Sequence, residues 1–146
     1  MHHYFLTALG SVFQFQEVRF IEAVVDFLRK GQVEEINLVH NLDCPLKKKI
    51  IGHSQELDSR AEKQLFDLYI DHYDRINRCE SEREKVRELA LLHMERFIPT
   101  LAGHPLLARV IAEEGIRMNG MLIDTQSQKI ECLPAKTWTR SVYSVN

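Results

Sequence analysis

The sequence lacks a Cys-x-x-Cys pair, and its cysteines, Cys44, Cys79 and Cys132, are odd in number and far apart. That excludes a disulfide framework or a zinc ribbon and leaves reduced thiols as the expected state. It also lacks a charge excess. With 19 Lys and Arg against 21 Asp and Glu, and a formal net charge of -2, there is no basic footprint for nucleic acid and no acidic solvating tail. No apolar run approaches the roughly 20 residues a membrane helix needs. The start, Met1 to Leu9, has no basic region, long apolar run or cleavage site, so no leader and a cytoplasmic protein are expected. Phosphate-binding glycine loops, a Gly-x-Ser-x-Gly elbow and a His-Glu-x-x-His pair are missing too, as are internal repeats and low-complexity tracts.

What is present is an ordinary globular composition. The 146 residues are 45% hydrophobic and 27% charged, enough for one domain with a core that needs no staples. We expect that domain over residues 1–133 and a tail or partner-docking arm over 134–146.

The pattern along the chain predicts α/β structure. Residues 3–8 are rich in β-formers and read as a strand ending near Gly10. Residues 16–30 carry Val18, Ile21, Val24, Val25 and Leu28 at helical spacing, with Gly31 at the C-cap. Residues 35–40 read as a second strand. Asn41 to Pro45 form a turn, and Pro45 suits the first turn of a short helix over 46–51. Longer helices are expected over 58–77 and 81–98. The second of these opens on a Ser81/Glu84 capping box, with Pro99 just past its end. Another helix runs from Pro105 to Gly115. A hairpin closes the pattern, with strands Ile116–Ile123 and Lys129–Leu133. Strands alternating with helices imply a small, mostly parallel sheet flanked by helices, ending in a C-terminal hairpin.

Three stretches resemble β-class carbonic anhydrases. Tyr4 to Gly10 is similar to that family's strand ending in an Ala-Gly turn. Ile36 to Cys44 is similar to its strand followed by Gly-His-x-x-Cys, which supplies two zinc ligands. Gly115 through Leu133 is similar to its closing hairpin, although Gln128 replaces a hairpin glycine. The resemblance covers most of this chain and part of a full family member. It implies a β-carbonic anhydrase-like fold, a homodimer, and a shortened member of the family whose zinc site is incomplete. With Cys44 aligned to the family cysteine, Asn41 falls on the zinc histidine and His40 on the preceding glycine. The family's Cys-x-Asp-x-Arg segment belongs upstream of the first strand and does not occur in these residues.

Zinc chemistry of this type requires about three protein ligands and an open position, so that bound water ionises near neutral pH. Only Cys44 matches a ligand position. His40 would join it if the turn shifted by one residue, and a third ligand such as His53, or one from another chain, would still be needed. Three readings follow. The first is a degenerate relative without hydratase activity or cofactor, acting as a binding or structural homo-oligomer, with Cys44 and His40 as structural residues. The second is a zinc-dependent carbonate dehydratase-type enzyme with a rearranged site on His40 and Cys44. The third is a binder of a small anion such as bicarbonate at the 40–49 turn. There Asn41, Asp43 and Lys47 sit at the carboxyl end of a strand and at a helix start. The lysine run 47–49 also reads as a solvated helix face, and Asp67, Asp71 and Asp74 as an exposed polar face. No catalytic residue is assigned.

Overall fold

The computed structural model describes residues 3, 4, 6, 8–13, 17–53 and 56–134. After a 3-10 turn at Leu9–Ser11 come α1 (Val18–Lys30), β1 (Glu35–Asn41), α2 (Pro45–Ile51), α3 (Arg60–Asp71), α4 (Tyr73–Asn77), α5 (Glu82–Ala102), α6 (Pro105–Glu113), β2 (Arg117–Asp124) and β3 (Lys129–Pro134). The sheet has the order β1-β2-β3. β1 and β2 are parallel, from Glu35 opposite Arg117 to Asn41 opposite Ile123, and β2 and β3 form the antiparallel closing hairpin. All of α2 to α6 lies in the crossover between the two parallel strands.

Two apolar clusters hold these elements. One joins Ile21 and Leu28 of α1, Leu38 of β1, Leu107 and Val110 of α6, and Leu122 of β2 to Ala90, Met94, Phe97 and Leu101 of α5. The other joins Leu46 and Ile50 of α2, Leu65 and Tyr69 of α3, and Ile76 of α4 to Val86, Leu89 and Leu92 of α5. α5 therefore packs on two sides. It carries apolar residues around most of its circumference, as a central helix must.

The structure departs from the sequence pattern in three places. Of the first expected strand, residues 3, 4, 6 and 8 are irregular, while Phe5 and Thr7 lie outside the described residues. Tyr4 instead packs edge-on against Phe27 of α1, ring centroids 4.9 Å apart. The single helix expected over 58–77 breaks at His72, whose backbone (φ -121, ψ 29) leaves the helical region between α3 and α4. Pro99 lies inside α5 and does not follow it. A proline there costs one helix hydrogen bond, but Leu101, just beyond it, is buried in the first cluster, and that packing carries the helix on to Ala102. Gly10 takes a positive φ of 61, and a Cβ there would collide with the Leu46 side chain. The turn after the irregular segment thus sits directly on α2. Of the expected tail, residues 135–146 lie outside the described residues.

Candidate functional site

The carboxyl end of β1 is built by side chains that pair with one another. The Asp43 amide donates to Asn41 Oδ1 at 2.8 Å, and the Cys44 amide to the Asn41 carbonyl at 3.2 Å. This Asx-type turn delivers the chain into Pro45 and α2. Asp43 then reaches across the sheet end. Its Oδ1 accepts from Arg83 of α5 at 3.1 Å, and its Oδ2 accepts from the Thr125 amide at 3.2 Å and from the Thr125 hydroxyl. Arg83 also pairs with Asp124, whose Oδ1 accepts from the amides of Gln126 and Ser127. One guanidinium thus ties the end of β1, the start of α5 and the hairpin loop together. The Thr125 hydroxyl first, and then Arg83, hold the Asp43 carboxyl below its ordinary value. The Ser127 amide does the same for Asp124, with Arg83 adding to it.

A second constellation lies inside. Along β1, Leu38 and His40 are buried while Val39 and Asn41 are exposed, because successive strand side chains point to opposite faces. His40 is fully buried, and its Nε2 shares a 2.8 Å hydrogen bond with Nδ1 of His93 on α5. The two rings meet edge to face, centroids 4.8 Å apart. Lys47 is 1% exposed, and its ammonium interacts with the neighbouring Cys44 side chain. Burial lowers the Lys47 pKa, and the sulfur works against that shift. Burial, then the Lys47 charge, then His93 push His40 well below the usual histidine range. Burial, Lys47 and Arg96 bring His93 to about 4. The histidines are therefore a neutral pair beside a buried cation.

Each residue singled out from the sequence has a definite place. Asn41 and Asp43 are spent on the turn and the Arg83 knot. Lys47 faces inward. Lys48 lies 3.9 Å from Asp43, and Lys49 lies 3.4 Å from Glu62. His53 meets the Tyr69 hydroxyl at 3.3 Å. Asp71 pairs with Arg96 on the surface. His93 and Arg83 were not singled out. They reach the site through long-range packing, 53 and 40 positions from their partners.

These residues do not fit a catalytic zinc. His40 and Asn41 point to opposite faces of the strand, so moving the histidine by one position carries it to the other side of the sheet. The His40 Nε2 is held by His93, and the buried Lys47 ammonium, which repels a dication, interacts with Cys44. Among the described residues, no three His, Cys, Asp or Glu side chains are grouped as a metal ion requires.

No family model matches the sequence, and no curated protein matches it. Solved structures do match. A tetrameric β-carbonic anhydrase of the filamentous ascomycete Sordaria macrospora aligns at a TM-score of 0.71 and 20% identity, covering 86% of this chain and 64% of that one. The β-carbonic anhydrase CafA of Aspergillus fumigatus aligns at 0.73 and 19%, over 93% and 67%. The Coccomyxa β-carbonic anhydrase, solved with acetazolamide, aligns at 0.68 and 7%, over 94% and 69%. The chain has the β-carbonic anhydrase fold. It spans about two thirds of the length of these proteins.

Proposed function

We propose that this chain is a β-carbonic anhydrase-like protein in which an all-protein cluster stands where the family pattern calls for zinc ligands. In this reading it is a cytoplasmic binding or structural homo-oligomer without hydratase activity. The observation that carries the reading is Lys47, a lysine buried three positions from Cys44, the one residue that matches a ligand position, and interacting with it. A cation held there satisfies the sulfur and opposes a second cation. The neutral His40–His93 pair lies beside it, joined through one shared hydrogen bond, with the His40 Nδ1 buried and unpaired among the described residues. The small-anion reading of the 40–49 turn has less support, because Lys47 faces inward and Lys48 and Lys49 are engaged with carboxylates.

Metal content tests the proposal. Protein purified without added metal should carry far less than one zinc per chain, and added zinc should produce no carbon dioxide hydration above buffer. Lys47→Ala, which removes the opposing charge, should raise zinc uptake relative to wild type. About one zinc per wild-type chain, lost in Cys44→Ser, would overturn the proposal in favour of the enzyme with a rearranged site.

A further inference from the structure

Two helices of this chain open on a capping box, Ser59 with Glu62 on α3 and Ser81 with Glu84 on α5. In that motif the residue before the helix and the third residue inside it bond each other's amides, which brings their side chains together. On α2 the same two positions hold Cys44 and Lys47, and no side-chain cap bond forms. A thiol and an amine thus stand in place of a hydroxyl and a carboxylate. Lys47 is buried, while Cys44 is half-buried and packs against the second apolar cluster. A buried lysine is ordinarily matched by an acid. Among the described residues no carboxylate pairs with Lys47, whereas Lys48 and Lys49 beside it each meet one. The neighbour that acts on the Lys47 charge is Cys44. The pair is therefore an enclosed amine interacting with a free thiol that solvent still reaches.

We propose that oxidation of Cys44 by a peroxide links it covalently to Lys47. Hydrogen peroxide transfers one oxygen to the sulfur, giving Cys44–SOH and water. The sulfur gives up two electrons, and the breaking O–O bond takes them. The Lys47 nitrogen then attacks the sulfur, the S–O bond breaks, and the hydroxyl leaves with an amine proton as a second water. The product is an S–N bond, and the pair has lost two hydrogen atoms. A sulfenic acid condenses with a neighbouring thiol or nitrogen, and here the nitrogen is built in three positions away. Only the free amine attacks, and burial favours that form. A small thiol reverses the link. Its sulfur displaces the amine from Cys44, and a second thiol releases Cys44 while the small thiols leave as a disulfide. The link spares Cys44 the irreversible sulfinic and sulfonic stages. The proposal uses the same Cys44–Lys47 contact as the reading above and adds a modification to it.

The test treats the full chain with hydrogen peroxide and follows it by intact mass and peptide mass spectrometry. The wild type should become lighter by two hydrogen atoms, within the single peptide that holds both residues. Cys44 should then resist iodoacetamide, trypsin should no longer cleave after Lys47, and dithiothreitol should restore both reactions. The same link should form when Cys79→Ser and Cys132→Ser are combined, which leaves Cys44 as the one thiol. Lys47→Met, which keeps an apolar side chain of similar length, should abolish the link and leave a Cys44 sulfenic acid that dimedone traps, with thermal melts confirming the fold. Oxygen gained on wild-type Cys44 while trypsin still cleaves after Lys47 overturns the proposal. So does a two-hydrogen loss that joins the Cys44 peptide to that of Cys79 or Cys132, or a Cys44 that peroxide leaves unchanged. Zinc content is measured on untreated protein, so the two readings fail separately.

Discussion

At the scale of single residues, the His40–His93 pair sets a pH dependence. An unfolded histidine titrates near 6.5, whereas folding brings His93 to about 4 and lowers His40 well below 6.5. Below 6.5 the unfolded chain takes up protons that the folded chain refuses. The stability is therefore full above 6.5 and is lost as pH falls from there towards the lowered folded values. The slope approaches about 1.4 kcal/mol per pH unit for each histidine. The paired carboxylates of Asp43 and Asp124, both held below their ordinary value, titrate lower and do not obscure this window. Urea unfolding at a series of pH values from neutral down to about 5 should show the slope, and His93→Gln should remove about half of it. A slope that His93→Gln leaves intact would place its source elsewhere. His40, Cys44 and Lys47 were legible in the sequence as candidates, and the burial of Lys47 had a signal too. Lys47 stands three and four positions before Ile50 and Ile51, on the same helix face, so the apolar stripe of α2 contains it even though the lysine run reads as solvated. The His40–His93 contact was not legible, because no local pattern joins residues 53 positions apart.

At the scale of elements, what was legible was what local chemistry decides. α1 ends with Gly31 as its C-cap, α2 starts at Pro45, and α5 opens on the Ser81/Glu84 capping box. Each of these features satisfies or removes an orphan backbone group at a helix end. What was not legible was decided by packing from elsewhere. Tyr4, near the N-terminus, covers Phe27 of α1, and α5 runs past Pro99 to bury Leu101. The cap on α5 matters beyond its own helix, because the first turn it fixes carries Arg83 into the knot with Asp43 and Asp124. Ser81→Ala should cost about 1 kcal/mol and should also speed hydrogen exchange at the Thr125 amide, which Asp43 holds. A loss of stability with no change at Thr125 would show that the cap and the knot are independent.

At the scale of the whole molecule, the sheet formed by the described residues is narrow, with β1 at one edge. Among the described residues β1 pairs only with β2, and on its open side the Ser11 hydroxyl donates to the Val39 carbonyl at 2.7 Å. Val39 is 38% exposed, and Tyr4, Leu6 and Phe27 are more exposed still. An open strand edge invites pairing with another strand, and exposed apolar groups gain by being covered. For the homo-oligomer proposed above, we place the contact on this β1 side. Size-exclusion chromatography with light scattering should give twice the 17.1 kDa chain mass at micromolar concentration. Val39→Lys places a charge on the strand edge, a common device against edge pairing, and should shift the population to monomer with the thermal midpoint of the isolated fold retained. Ile130→Lys, on the exposed face of β3 at the opposite sheet edge, should leave the dimer intact. A wild-type monomer would remove the oligomer from the proposal. A dimer broken by Ile130→Lys and untouched by Val39→Lys would move the interface to the other edge of the sheet.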